Sequence, residues 1–420
     1  MIGRPSGAVV ATRGGLVEAE LPAARVGGGV RIRAAGREVA GEVVALSGRR
    51  AVLAPWSSLA GVAVGDPVAA DDAVLRTVLG TPLLGRALDG AGAPLDGGPR
   101  PRGPLRRAPG PPLAVGDRQS CGDVCWTGIR AIDGPLPLGR GARIGVVGAA
   151  GTGKSTLLDA IVRGADADAV VVALIGERGR EAERRVNAAD ARTTVVCATA
   201  DRSPAERVRA ADLAFAQAEA LRARRLDVLL VLDSLARVCA AARELALAAG
   251  EPAGRGGYPP SVFGRLAGLL ERAGSVGAGS VTLVATVLSE GPDEHDPVAE
   301  AARAALDGHL VLSERLARAG RFPALDLPRS VSRTAAEVAA PEHLRAGRRL
   351  REAVAALEES REARALGLDV AAGDPFLACC LRCEGEIEGF LGQDGDPSPP
   401  ASTLRQLRRL ADTLDDGRLR

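Results

Sequence analysis

Gly148-Ala149-Ala150-Gly151-Thr152-Gly153-Lys154-Ser155-Thr156 decides how the rest of this chain is read. It meets the phosphate-loop pattern G-x-x-x-x-G-K-S/T at every fixed position. Just before it, Arg143-Ile144-Gly145-Val146-Val147 reads as a short buried strand, and after it Thr156 to Val162 reads as a helix. In that setting the glycines let backbone N–H groups close around phosphate oxygens, and the helix N-terminus adds partial positive charge. Lys154 reaches the outer phosphates, and the Ser155 hydroxyl can ligate magnesium. Among 54 lysine and arginine residues, Lys154 is the single lysine. A compact ammonium on a flexible stem enters a phosphate cradle where a planar guanidinium fork would not.

Composition narrows what surrounds the loop. With 420 residues, 46% of them hydrophobic, the chain has material for about two or three domains and a large core. A net charge of +2 gives no overall pull toward nucleic acid or acidic membranes, and 2% aromatic residues argue against a base-stacking binder of single strands. No apolar run approaches the ~18 residues of a membrane span, and Met1-Ile2-Gly3-Arg4-Pro5 opens no signal-peptide apolar region, so a cytoplasmic protein is expected. Seven cysteines, an odd number, fit free thiols in a reducing compartment. Cys380 and Cys383 form C-x-x-C. Phe376, Cys380, Cys383, Ile387 and Phe390, however, step by four and three along one amphipathic helix, which favours buried thiols over a metal site. Cys121 and Cys125 lack a local partner set for zinc.

In chain order, residues 1–72 predict a small β-barrel. Short β-type runs at Ala8–Thr12, Leu16–Glu20, Val30–Ala34, Glu42–Leu46 and Arg50–Ala54 alternate with glycine-rich turns. Leu83 to Pro112, rich in Gly, Pro and Arg, reads as a linker with a solvated basic cluster at Arg100 to Arg107. The nucleotide-binding part, 73–340 with that linker, then follows a βα pattern. Val170 to Ile175, Thr194 to Ala198, Val228 to Leu232 and Val281 to Val287 are near-continuous apolar runs, as in a parallel sheet covered on both faces. Ser203-Pro204-Ala205-Glu206 is a capping box that starts a helix. The expected class is α/β, a doubly wound, RecA-like phosphate-loop core between the barrel and a C-terminal helical domain at 341–420. Three helices are expected there. One has its apolar face at Leu350, Ala353, Val354 and Leu357, a second is capped by Asp374-Pro375, and the last carries Leu404, Leu407, Leu410 and Leu414.

Phosphoryl transfer to water needs a metal, a group that orients water, and cations for the transferring phosphoryl. Val228-Leu229-Leu230-Val231-Leu232-Asp233 is an apolar strand ending in a carboxylate at the edge where such sheets bind ligands, so Asp233 is the candidate to hold magnesium. Gly176-Glu177-Arg178-Gly179-Arg180-Glu181 leaves a strand at the same edge. Glu177 is placed to polarise a water and Arg178 to touch the γ-phosphate.

Several long stretches, in order, carry a family resemblance. They are Thr127-Gly128-Ile129-Arg130-Ala131-Ile132-Asp133-Gly134, the phosphate loop, Ala173-Leu174-Ile175-Gly176-Glu177-Arg178-Gly179-Arg180-Glu181 and Asp233-Ser234-Leu235. Beyond these come Gly257-Tyr258-Pro259-Pro260-Ser261-Val262-Phe263, Leu269-Leu270-Glu271-Arg272-Ala273-Gly274, Leu306-Asp307-Gly308-His309, Phe322-Pro323-Ala324-Leu325-Asp326 and Ser330-Val331-Ser332-Arg333. The chain resembles the type III protein-export ATPases of flagella and injectisomes, relatives of rotary ATP synthase catalytic subunits, from the first strands to near the C-terminus. The resemblance implies an ATPase using ATP and magnesium. Glu177 would activate water, Arg178 would contact the γ-phosphate, and Glu181 would stand in the outer magnesium shell. Phe322 would stack on adenine, and Arg333 would be an arginine finger donated to the neighbouring subunit. A finger in trans implies a homohexameric ring. The implied partners are a central stalk, stator and export-gate proteins and chaperone–cargo complexes at the inner membrane face, with no nucleic acid.

The chain departs from the family at Ala236, where a threonine usually precedes the arginine here at Arg237. It departs also at Ala242, which replaces a glutamine, at Gly256, which replaces an arginine, and in the loop Glu290-Gly291-Pro292-Asp293-Glu294-His295. His309 is expected to be a buried structural histidine and His343 to lie on a helix surface. The competing readings are a rotary proton-translocating ATPase or ATP synthase subunit, an RNA-translocating hexamer, and a non-catalytic nucleotide-binding subunit. The last is disfavoured by the carboxylate at Glu177.

Overall fold

Alternation of apolar and polar residues closes the first 70 residues on themselves. In the computed structural model, which describes residues 6–110, 113–288 and 296–416, six antiparallel strands form a closed barrel. Its strands are Ser6–Arg13, Leu16–Glu20, Gly29–Ala34, Arg37–Ser47, Arg50–Pro55 and Pro67–Ala70. The last is absent from the five runs read in the sequence. It is only four residues long, begins at a proline, and closes the ring by pairing with both Ser6–Arg13 and Gly29–Ala34. Val30 and Ile32 point into the barrel core while Arg33 is exposed, as the pleat requires. Closure removes the free strand edges that an open sheet would present.

Next comes the central sheet. Its strand order is Leu325–Ser332, Gly308–Leu312, Arg143–Gly148, Gly279–Leu288, Asp227–Asp233, Ala169–Ile175, Thr193–Ala198 and Ala87–Leu88. All neighbours are parallel except Leu325–Ser332, which runs antiparallel at one edge; Gly274–Val276 also pairs antiparallel with Gly279–Leu288. The inner strands are buried along almost their whole length, which explains their unbroken apolar runs. Helix Pro204–Arg222 covers one face. Its Ser203 hydroxyl accepts the Glu206 N–H at 3.1 Å, and Phe215, 1% exposed, sits in the core beneath it.

The Gly- and Pro-rich segment is no free linker. Ala87–Leu88 adds the edge strand beside Thr193–Ala198, and Leu105–Arg107 pairs with Arg76–Val78. Gly80 exchanges hydrogen bonds with the buried Gln217 side chain, at 2.7 Å to its N–H and 3.0 Å to its carbonyl. Low apolar content hid this docking, because only a few side chains, Leu83, Ala87, Leu88 and Ala108, are buried in the core and backbone pairing does the rest. Arg107 is exposed, as expected of the basic cluster, and donates to the Gly27 carbonyl of the barrel.

Among its described residues the C-terminal part has five helices rather than three: Pro341–Glu359, Arg361–Ala365, Pro375–Arg382, Glu384–Leu391 and Pro400–Asp416. The expected continuous stripe from Phe376 to Phe390 breaks at Cys383, yet Cys380, Cys383, Ile387 and Phe390 remain buried. Asp374 caps its helix by accepting the Leu377 N–H at 2.9 Å. His343 also corrects the surface reading. It is 4% exposed, stacks on Trp126, and its Nε2 lies 2.9 and 2.8 Å from the Asp133 and Gly134 carbonyls. Two acceptors place the proton on Nε2, and burial lowers the pKa of the ring. His309 is half-buried rather than buried and bonds the Arg329 carbonyl at 3.1 Å. The variant loop residues Glu290–His295 lie outside the described residues.

Candidate active site

Parallel strands in register deliver their C-terminal ends to one edge. Gly148 pairs with Leu288, Leu174 with Asp233, and Leu232 with Ala285. The phosphate loop, the Gly176-Glu177 turn and Asp233 therefore emerge side by side. Gly151 and Gly153 take φ of +80° and +88°, backbone that other residues adopt only with strain. Helix Lys154–Gly164 begins directly after Gly153, so its free N–H groups face the loop.

A cavity of about 410 Å³ opens beside that helix. Ser155, Thr156, Glu177, Glu181 and Asp233 line it together with the apolar Leu158, Val172, Leu174 and Val231. Lys154 Nζ donates to the carbonyls of Gly148 and Ala149, both at 2.7 Å. Burial lowers its pKa, while the charges of Asp233 and Glu177 oppose that fall. A half-buried ammonium whose hydrogen bonds go to neutral carbonyls suits an anionic ligand.

Asp233 is 7% exposed and uses both oxygens. Oδ1 accepts from the Thr286 hydroxyl at 2.7 Å, and Oδ2 from Arg185 Nη1 at 3.0 Å. Glu177, 8% exposed, has its pKa pushed up to about 7. Burial is the main cause, followed by the charge of Asp233 and a hydrogen bond with Glu181; Arg237, 3.5 Å from Glu177, opposes the rise. A carboxyl balanced near neutrality is suited to taking a proton from water.

Ser155 supplies a hydroxyl to the same cavity as the carboxylates of Glu177, Glu181 and Asp233, and among the described residues no group of three or more acidic, histidine or cysteine side chains forms a metal cage of its own. Magnesium is usually held by one or two protein oxygens together with substrate phosphates, so this donor set fits a metal that arrives with a nucleotide.

Three residues expected at the site stand outside the cavity. Arg178 is exposed at the start of helix Gly179–Asn187. Phe322 is 38% exposed and borders the loop from the other side; a Cβ on Gly153 would stand 3.4 Å from its ring. Its carbonyl accepts the Gln393 N–H at 2.8 Å, which ties it to the C-terminal helices. Arg333 is exposed, with its N–H on the Asp307 carbonyl at 2.9 Å. Ser332 pairs with Gly308 and Gly308 with Ile144, so Arg333 lies beside the start of the phosphate-loop strand. The loop leaves that strand's far end, about 13 Å further along at ordinary strand rise. The fold therefore separates Arg333 from the phosphate loop of its own chain.

Sequence reasoning missed Arg185 and Thr286 and gave Arg237 no role. Thr286 had a signal, a hydroxyl inside an apolar strand run. Arg237 had one too, since it follows the Ser234 cap by one helical turn. Arg185 is one of two adjacent arginines ending an amphipathic helix, and nothing in that pattern marks it.

The Thr127–Gly134 stretch proves to be a clamp. Asp133 accepts the Thr127 N–H at 2.9 Å, the Thr127 hydroxyl at 2.7 Å and the Gly128 N–H at 2.8 Å. Arg130 reaches the carbonyls of Gly389, Phe390 and Gly392, fastening the C-terminal helices beside the loop.

Residues 128–332 match the ATP synthase alpha/beta family, nucleotide-binding domain. A type 3 secretion system ATPase of Pseudomonas syringae pv. tomato is 41% identical over 98% of this chain and 95% of its own length. A flagellum-specific ATP synthase of Pseudomonas aeruginosa is 42% identical over 90% of this chain and 86% of its own. Among solved structures, the assembled ATPase EscN from the enteropathogenic E. coli type III secretion system superposes with a TM-score of 0.90 at 36% identity, covering 96% of this chain and 100% of that one. EscN in complex with its central stalk EscO gives a TM-score of 0.89 at 35% identity over the same coverage.

Proposed function

The chain is an ATPase belonging to the family of type 3 secretion system ATPases and flagellum-specific ATP synthases, and from that premise we propose that it hydrolyses ATP in a homohexameric ring whose active sites lie between subunits and energise protein export. The observation that carries the proposal is the division of parts just described. Lys154, Ser155, Glu177 and Asp233 converge on one loop, while Arg333 stands at the opposite end of the sheet.

In this reading the loop amides and Lys154 bind the triphosphate. Ser155 and Asp233 hold magnesium, with Glu181 in its outer shell. When bound, the metal offsets charge on the phosphates. Glu177 orients a water and takes its proton, and its neutrality-balanced carboxyl supports that role. Arg178 contacts the γ-phosphate. Phe322 stacks on the adenine, which its exposed ring beside Gly153 supports. Arg333 from the neighbouring protomer takes up charge in the transition state. The domains are divided at 1–72, 73–340 and 341–420, with the barrel serving packing or ring assembly.

The EscN–EscO complex supports a central stalk as partner here. Stator and export-gate proteins and chaperone–cargo complexes at the inner membrane face follow from the export role. Among the described residues no helix is long and apolar enough to cross a membrane.

Mixed rings test the shared site. Arg333→Ala and Lys154→Ala subunits, each inactive alone, are expected to regain part of the ATPase activity when co-assembled, because some interfaces then pair an intact Lys154 with an intact Arg333. Mixed rings that form but show no turnover would refute donation in trans.

A further inference from the structure

We propose that Arg185 is a resident cation of the metal site, a positioning residue that sets how strongly nucleotide binding depends on magnesium. The inference rests on the reading of Asp233 as a metal-holding group. Arg185 comes from the last turn of helix Gly179–Asn187, yet its guanidinium reaches two other elements, the end of strand Asp227–Asp233 and helix Lys154–Gly164. Nη1 donates to Asp233 Oδ2 at 3.0 Å, Nε lies 3.0 Å from Asp159 Oδ1, and Nη2 donates to the Ser155 carbonyl at 3.3 Å. Its side chain is 13% exposed and that of Asp233 9%, so the pair is poorly screened by water.

The arrangement has two electrostatic consequences. First, one oxygen of Asp233 is engaged by a fixed positive charge, and the other by the Thr286 hydroxyl. The carboxylate is thus locked in orientation and partly neutralised, so it offers a dication less attraction than a free carboxylate would. Second, the guanidinium adds positive charge on the cavity side of the phosphate loop, where Ser155 and Asp233 meet. An anionic nucleotide gains from that charge whether or not a metal accompanies it. Asp159, half-exposed on the far side of the guanidinium, draws off part of the charge and so acts in the opposite sense.

Arg185 therefore trades metal affinity for metal-independent nucleotide affinity, and Asp159 trims the trade. Magnesium titrations of fluorescent ATP-analogue binding, run on the full chain and repeated in EDTA, read both quantities without turnover. Arg185→Met is expected to lower the magnesium concentration at half-saturation about tenfold and to weaken binding in EDTA by a similar factor. Asp159→Asn is expected to move both quantities the other way, by about threefold, since Asp159 is itself the more exposed member of its pair with Arg185. Arg185→Lys, which keeps the charge, should stay near wild type.

Shifts of opposite sign in the methionine and asparagine variants support the proposal. Absent shifts, or shifts of one sign in both, overturn it, and the Asp159 variant carries the test should Arg185→Met fail to fold. Asp233→Asn separates the two levels. If it leaves the magnesium titration unchanged, the reading of Asp233 fails and this inference with it; if it alters the titration while Arg185→Met does not, only the inference fails.

Discussion

The two flanks of the phosphate loop are built on different plans. On the cavity side, Glu177, Asp233, Arg185 and Thr286 are buried or nearly so; Arg185 and Thr286 both bond Asp233, and Glu177 pairs with Arg237. On the outward side, Phe322 is exposed and held mainly through its backbone, as is Arg333 at the far end of the loop's strand. The contrast teaches where the chain is complete in itself. Buried charges persist only when their partners are supplied by the same fold. On the proposed function, the exposed Phe322 and Arg333 serve something that arrives, a nucleotide base or another protomer.

Loss of the internal half should cost most. Glu177→Gln is expected to lower turnover by about 10²–10⁴-fold while nucleotide binding is kept, measured as ATPase rate alongside analogue affinity. Wild-type-like turnover would remove Glu177 from the chemistry and leave the buried flank merely structural. Next in size is the clamp. Asp133→Ala leaves three donors around a buried carboxylate position unsatisfied and should destabilise the fold by about 3 kcal/mol, read by denaturant unfolding.

Glu206 sharpens the comparison because burial raises its pKa to about 7, as for Glu177, but without catalytic neighbours. With a folded-state pKa above the unfolded value near 4.5, its contribution is intact at low pH and is lost as pH rises through that window toward 7. Glu206→Gln should therefore melt higher than wild type at pH 8, by about 2 kcal/mol in stability, and show no advantage at pH 4. An equal advantage at both would mean that its charge is not the cause. The smallest effect is expected on the outward flank. Phe322→Ala should weaken nucleotide affinity about tenfold in a binding titration, and more for an adenine than for a base-free triphosphate. Equal loss for both would count against stacking.

Much of this was legible beforehand because some signals are local. The phosphate loop, the apolar strand runs, the Ser203 and Asp374 caps and the barrel's alternation each rest on neighbours within a few residues. What escaped notice depends on distant pairing. The edge strand Ala87–Leu88 is a strand only because Thr193–Ala198 lies beside it. His343 is buried because Trp126 and the Asp133 and Gly134 carbonyls come from more than two hundred residues away.

The chain's own order of residues sufficed for the class of fold, the anchor lysine, and the two carboxylates at strand ends, since strand periodicity and loop chemistry are written locally. Three-dimensional packing alone decided that Arg185 grips Asp233, that Thr286 orients it, and that Arg333 stands at the far end of the sheet from the phosphate loop of its own chain. Those outcomes depend on register between strands and on which helix turn covers which strand end, and no short window of sequence contains either.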